Sequence, residues 1–195
     1  MTASETRQRV VCLEGKRVAL RPFDIASDFE LFVKWINDQS VVQFLLRIAP
    51  VYRHQQLAWF QSLPNSTDVV FTVETTARKT IGIIGLERIN LVDGTAFCWQ
   101  IIGDKECRGR GFGTEAKILL LHYAFNTLRL EKVSTEVIDG NGGSLRYNEK
   151  TGFREEGRLR SQIFRNGARR DLILLGILKE EFAAVYEKYQ KSLID

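Results

Sequence analysis

The sequence predicts a mixed α/β (α+β) fold, and three observations carry that prediction. Residues 69–102 hold three β-rich runs separated by short turns, the pattern of an antiparallel meander. Residues 95–138 then run strand, glycine-rich turn, helix, strand, and a right-handed crossover makes the two strands of such a unit parallel. Residues 153–178 supply a closing antiparallel hairpin whose turn is Asn166-Gly167. Helical stretches lie before, between and after these strands, so helices flank a sheet that is antiparallel apart from one pair.

Each element has its own signal. "VVCLEGKRVALRPF" (10–23) gives two short strand runs about a Glu-Gly-Lys turn. Residues 24–39 are helical, because Phe29, Phe32, Val33 and Ile36 recur at helix spacing. Residues 50–63 predict a second helix, with Pro50 at its first position and Leu57, Phe60 and Leu63 on one side. The strands "VVFTVE" (69–74), "TIGIIGLERIN" (80–90) and "TAFCWQII" (95–102) follow, the last two joined by Val92-Asp93-Gly94. "TEAKILLLHYAFNTL" (114–128) is apolar over a broad face, as a helix buried against a sheet requires. "KVSTEVI" (132–138) is a strand, and 141–153 a short capped helix ending at Gly152. A tail helix, 179–193, lines up Phe182, Val185, Tyr186 and Tyr189 on a face that permits a homodimer. We expect residues 10–195 to form one domain behind a flexible N-terminus, residues 1–9.

Composition narrows the classes. With 44% hydrophobic and 27% charged residues and a mean hydropathy of −0.16, the 195-residue chain has the balance of a soluble globular protein. No apolar run approaches the ~20 residues of a membrane span. The polar "MTASETRQRVV" start lacks a signal-peptide core, so a cytoplasmic location and no membrane partner are expected. Cys12, Cys98 and Cys107 form no C-x-x-C pair, and His54 and His122 lie far apart, which predicts no metal site. The net charge of +4 admits anionic partners, but without a basic run or a recognition motif no nucleic acid is expected. The arginines collect at a few places, which favours a small anionic ligand.

One such place is "CRGRGFGTEA" (107–116), which sets three glycines between two arginines and a helix start. Gly109, Gly111 and Gly113 let backbone N–H groups approach a ligand, and a helix N-terminus favours a phosphate. The spacing is neither a Walker loop nor a G-x-G-x-x-G fingerprint. Arg108-Gly109-Arg110-Gly111-Phe112-Gly113 matches instead the R/Q-x-x-G-x-G/A pattern of the GNAT superfamily of N-acetyltransferases. The surroundings resemble that superfamily over roughly residues 10–185, including "NGGSLRYNEKTGFREEGRLR" and "RRDLILLGILKEEF". The branch most resembled is that of ribosomal-protein and spermidine acetyltransferases. The resemblance implies a twisted, mostly antiparallel sheet of about seven strands with a splayed central parallel pair. It also implies acetyl-CoA as co-substrate and no metal. The amides of Arg108, Gly109, Arg110, Gly111, Phe112, Gly113 and Thr114 would hold the pyrophosphate, while the side chains of Arg108 and Arg110 either add charge or stand in solvent. The backbone of Ile101, Ile102 and Gly103 would pair with the pantetheine arm, with Asn141 and Ser144 opposite.

Acetyl transfer to an amine needs a base, because an alkylamine with pKa about 10 is protonated at neutral pH, and a donor for the departing thiolate. The superfamily's usual acid, a tyrosine, falls here on Asn148, with Tyr147 one place earlier. Tyr147 reads either as a core aromatic or as a displaced acid, since one helical residue is a rotation of ~100°. Where relatives often carry a strand glutamate this chain has Phe97-Cys98-Trp99-Gln100, which leaves Glu87, or water alone, as base. Residues 39–67 contain Arg47, Arg53 and His54 but no Asp or Glu, so we expect an acceptor with an acidic group: an amino sugar, an amino acid or a peptide N-terminus. Asp24, Asp28, Glu30 and Asp38 keep a polyamine acceptor as an alternative, and the two departures keep a non-catalytic acyl-CoA sensor as another.

Overall fold

The first hairpin forms as the sequence predicts: β1 (Leu13–Glu14) turns into β2 (Val18–Pro22), and Leu13 pairs with Leu20. These coordinates come from a computed structural model that describes residues 10–46 and 50–194. The segment 1–9 and Arg47 lie outside the described residues. Helix α1 (Ile25–Ile36) starts where Asp24 accepts a hydrogen bond from the Ala26 amide, an aspartate N-cap. A one-turn helix, α2 (Gln39–Val42), follows under its own aspartate cap, Asp38. Helix α3 (Arg53–Ser62) begins three residues after Pro50, so that proline precedes the helix rather than opening it.

Strands β3 (Val69–Thr75), β4 (Thr80–Asn90) and β5 (Thr95–Ile102) make the expected antiparallel meander. A 3-10 turn (Lys105–Cys107) then leads into α4 (Phe112–His122). This helix opens two residues before the expected Thr114. Its last turn, Tyr123–Thr127, widens to π winding, so regular α-helix stops at His122 rather than at 128. After β6 (Lys132–Ile138) come α5 (Gly142–Lys150), the strands β7 (Arg154–Arg165) and β8 (Ala168–Leu178), and α6 (Lys179–Ile194). The β7–β8 turn takes positive φ at both Asn166 (51°) and Gly167 (77°), as a two-residue hairpin of matching twist requires.

The strands form one sheet in the order β1-β2-β3-β4-β5-β6-β8-β7. It counts eight strands, where the resemblance implied about seven and the run-by-run reading of the sequence, β1 included, gives eight. Alternation along β5 divides its side chains between two layers. Cys98 and Ile102 face the core under α4 and α6, while Trp99 and Ile101 face the smaller cluster under α1 and α3. Each fully buried Leu, Ile or Phe there contributes about 1.5–3 kcal/mol. Phe182 is buried, and Val185, Tyr186 and Tyr189 of α6 are partly buried against the larger core.

The one parallel pair creates the working feature of the sheet. β5 and β6 pair only at Thr95↔Lys132, Ala96↔Val133 and Phe97↔Ser134. Beyond Phe97 the strands part: β6 stays paired with β8 up to Ile138↔Leu172, and β5 stays with β4 up to Ile102↔Gly82. The mostly antiparallel sheet therefore opens at its centre.

Candidate active site

The gap exposes half of the β5 backbone. Gly103 donates its N–H to the Ile81 carbonyl at 3.0 Å, so its backbone faces β4. Alternate residues of an antiparallel strand address the same neighbour, so Ile101 also faces β4, while Cys98, Gln100 and Ile102 face the gap. Of the three residues expected to pair with a ligand arm, Ile101 and Gly103 are therefore turned away. Ile102 remains, but its carbonyl already accepts from Arg108 Nε at 2.8 Å. Gly103 has another use: a Cβ there would collide with the Trp35 ring. Gln100, which was not singled out in the sequence, donates from Nε2 to the Gly113 carbonyl at 3.1 Å. Its Oε1 is buried without a partner among the described residues. A buried acceptor left open beside a bare strand edge fits a ligand that brings N–H groups.

At the mouth of the gap the glycine loop turns into α4. Gly111 is its N-cap at φ 85°, a left-handed conformation that side chains resist, and no side chain caps the amides that follow. Nothing lies within 4 Å of a Cβ placed at Gly109, and the nearest atoms to one at Gly113 belong to Gln100 and Ile102. Phe112 and Thr114 sit on either side of Gly113 in the first turn. Uncapped amides at the positive end of a helix form a cradle for an anion. The arginines divide their roles. Arg108 is committed to the protein: besides Ile102 it donates to the Gly103 carbonyl at 3.0 Å and to Ser40 Oγ at 3.2 Å. It fastens the loop to the strand end and to α2, where the sequence suggested a phosphate contact. Arg110 is exposed, 5.6 Å from the Phe112 ring. Arg17, which sequence reasoning missed, covers that ring from 4.2 Å and comes within 3.3 Å of a Cβ built at Gly111. Only the fold brings it there, because Arg17 belongs to the β1–β2 turn.

Across the gap, α5 presents Asn141, Ser144 and Tyr147, three residues at the spacing of one helix face. Asn141 caps the helix by accepting from the Ser144 amide at 3.1 Å. One position on, Asn148 points away from the cavity. It is 1% exposed; its Oδ1 accepts from Lys117 Nζ at 2.9 Å and its Nδ2 donates to Ser144. Every polar group of Asn148 is engaged, so as a catalytic candidate it is corrected to a structural one. Tyr147 does line the cavity, and burial pushes its phenol up while the nearby Lys117 ammonium pulls it down.

The cavity holds about 870 Å³ and continues from the gap to the opposite face of the sheet. There its wall is aromatic, with Phe32, Phe44, Trp59, Phe97 and Trp99, and carries the carboxylates Glu87 and Glu136. Burial pushes the Glu87 carboxyl up, Arg88 beside it pulls it down, and Asp68 and Glu136 push it further up. Of the cations counted in its favour as an anion site, Arg47 lies outside the described residues, while the cations that do line the cavity are Arg88, Arg108, Arg146 and Lys150. Arg53 pairs with exposed Glu30 and His54 stacks on Tyr52, and neither lines the cavity. Asp24 and Asp38 are helix caps, and Asp28 is tied to Arg21, so those carboxylates do not line it either. Among the described residues no group of three His, Cys, Asp or Glu side chains could hold a metal, and no helix is long and apolar enough to cross a membrane.

A splayed parallel strand pair with an uncapped helix N-terminus beside it is the arrangement that the resemblance to the GNAT superfamily of N-acetyltransferases implies. Residues 17–154 match the family model described as an acetyltransferase (GNAT) domain, and the chain belongs to that family. It is 32% identical over 164 residues to an SPbeta prophage-derived uncharacterized N-acetyltransferase, YokL, of Bacillus subtilis, covering 84% of this chain and 89% of that protein. It is also 32% identical over 179 residues to the spermidine N(1)-acetyltransferase of Escherichia coli K12, covering 91% and 94%. Among solved structures, the spermidine N-acetyltransferase of Vibrio cholerae in complex with CoA and spermine superposes with a TM-score of 0.78 over 85% of this chain and 98% of that one. At 24% identity, this likeness concerns the fold.

Proposed function

We propose that the protein transfers the acetyl group of acetyl-CoA directly to the primary amine of a cationic, polyamine-type acceptor. The observation that carries the acceptor class is the pair Glu87 and Glu136 on the aromatic wall of the cavity, where Arg88 beside Glu87 offsets only one of the two charges. Carboxylates that repel one another in a partly desolvated site favour a ligand with spaced ammonium groups, and aromatic faces favour cations too. The spermidine acetyltransferases among its relatives support the same class.

Acetyl-CoA supplies the activated acyl group; what remains is the work of this chain. The amides of residues 111–114 and the guanidinium of Arg17 hold the pyrophosphate at the α4 N-terminus. The Ile102 N–H, the Gln100 backbone and the open Gln100 Oε1 receive the pantetheine arm along the β5 edge as an added strand would be received. Asn141 and Ser144 line the opposite side. Glu87 takes the proton from the acceptor ammonium, a task that its raised pKa suits. Tyr147 is placed to return a proton to the departing sulfur.

The test is thiol release at saturating acetyl-CoA with spermidine, a simple alkylamine and an amine bearing a carboxylate or phosphate. We expect spermidine to be preferred, and Glu87→Gln to lower its kcat/KM at least ten-fold. Faster turnover of the anionic amine would overturn the polyamine assignment and restore the acceptor read from residues 39–67. Binding of acetyl-CoA without turnover of any amine would instead make the protein a sensor.

A further inference from the structure

Lys117 lies in the middle of α4, 0% exposed, and meets no carboxylate among the described residues. Its Nζ donates to Cys98 Sγ at 3.3 Å and to Asn148 Oδ1 at 2.9 Å, and stands 4.8 Å from the centroids of both the Tyr147 and Phe153 rings. A buried ammonium without an anion is costly, so its retention calls for a use. The position suggests one. Cys98 is the first residue of β5 beyond the last parallel pair, Phe97↔Ser134, so the cluster sits under the apex at which the gap begins. Tyr147 spans the two regions: it lines the cavity wall, and its ring stands 4.8 Å from the Lys117 ammonium.

The geometry points to Lys117 as the positioning residue of a displaced proton donor: it holds the Tyr147 hydroxyl at the apex and stabilises the phenolate formed when that hydroxyl gives up its proton. This rests on the acetyltransferase reading above. As the thioester C–S bond breaks and its electron pair stays on sulfur, Tyr147 passes its O–H proton to that sulfur. The phenolate left behind faces the Lys117 ammonium until it takes a proton back from solvent through the cavity. Burial works against both charges, and it is the anionic forms of Cys98 and Tyr147 that favour the Lys117 ammonium, so ammonium and phenolate stabilise one another. The groups facing the pair are Cys98 from β5, Lys117 from α4, and Tyr147 and Asn148 from α5; Phe153 closes the cluster without a charge. The arrangement also accounts for two departures at once, since Asn148 in the usual tyrosine position orients Lys117 and the tyrosine moves one residue back.

Two readouts test it, one of which needs no turnover. Lys117→Met keeps the length and removes the charge; Lys117→Gln also keeps a donor for Asn148 and serves if the first variant folds poorly. Tyrosinate absorbance, taken as the difference between each protein and its Tyr147→Phe counterpart, isolates the Tyr147 phenol. We expect its titration to move up by at least one pH unit when Lys117 is replaced. In thiol release, kcat falls at least ten-fold with KM for acetyl-CoA within two-fold, and Lys117→Met, Tyr147→Phe falls no further than either single variant. An unmoved phenol titration overturns the pairing, whether or not the enzyme turns over. A moved titration with kcat and its pH profile unchanged overturns the catalytic role. If wild type acetylates no amine, the acetyltransferase reading falls, and the titration still decides whether Lys117 and Tyr147 are paired.

Discussion

At the residue scale, the function rests on a few side chains whose neighbours decide what each can do. Arg108 shows this best. Its fork is spent on two carbonyls and a serine, so it should act through geometry rather than charge. Lysine keeps the charge but cannot reproduce a planar fork. Arg108→Lys should therefore weaken acetyl-CoA binding nearly as much as Arg108→Ala, as measured by calorimetry; a phosphate contact would instead leave the lysine variant close to wild type. Glu87 gives a pH prediction. Its carboxyl is held above the ordinary value mainly by burial, so the base form is lost earlier as pH falls. The acid limb of kcat/KM should lie above the ordinary carboxylate value of ~4.3, and Glu87→Gln should remove that limb. Lys117 was not singled out in the sequence, although a signal was there. A lysine between Ala116, Ile118, Leu120 and Leu121 breaks an apolar pattern, but its partners Cys98 and Asn148 are distant in sequence.

At the scale of elements, periodicity and turn chemistry made nearly every helix and strand legible. The three-strand meander, the crossover and the Asn166-Gly167 hairpin all stand where alternation and turn residues put them. Boundaries that depend on tertiary contacts were not legible. The π turn at Tyr123–Thr127 and the start of α3 beyond Pro50 have no local signature in the sequence. Nor was the acceptor wall: counting charges over residues 39–67 ignored that Arg53 and His54 face away, while Glu87 and Glu136 arrive from β4 and β6. The seat of α1 is a second case. Asp28, 3% exposed, binds Arg21 through both oxygens at 2.7 Å and also accepts from Thr72, joining α1 to β2 and β3. Removing one partner of a buried pair strands the other. Asp28→Asn should cost roughly 3 kcal/mol in chemical denaturation. Burial pushes the Asp28 carboxyl up, but the Arg21 guanidinium and the other donors outweigh it and hold it below its ordinary value. Its contribution is then full above the unfolded value of ~4 and is lost as pH falls through the lower folded one.

On the scale of the whole molecule, one topological fact organises the site. A sheet that pairs β5 and β6 for only three residues and then separates them exposes a strand edge, a helix N-terminus and an aromatic wall to one cavity. Ligand that binds only this folded arrangement must stabilise it, by about 2.7 kcal/mol when present at 100 times its dissociation constant. Acetyl-CoA should therefore raise the melting temperature in a concentration-dependent way, whereas free spermidine, which the proposed function seats at the aromatic wall alone, should raise it less. The most direct test of the account is calorimetric titration of acetyl-CoA into the wild-type protein and into Gly111→Val, whose side chain would sit at φ 85° beside Arg17 in the anion cradle. The account predicts one site per chain in the wild type and at least a hundred-fold weaker binding in a variant that still folds. Equal affinity in the two proteins, or no binding to the wild type, would contradict it.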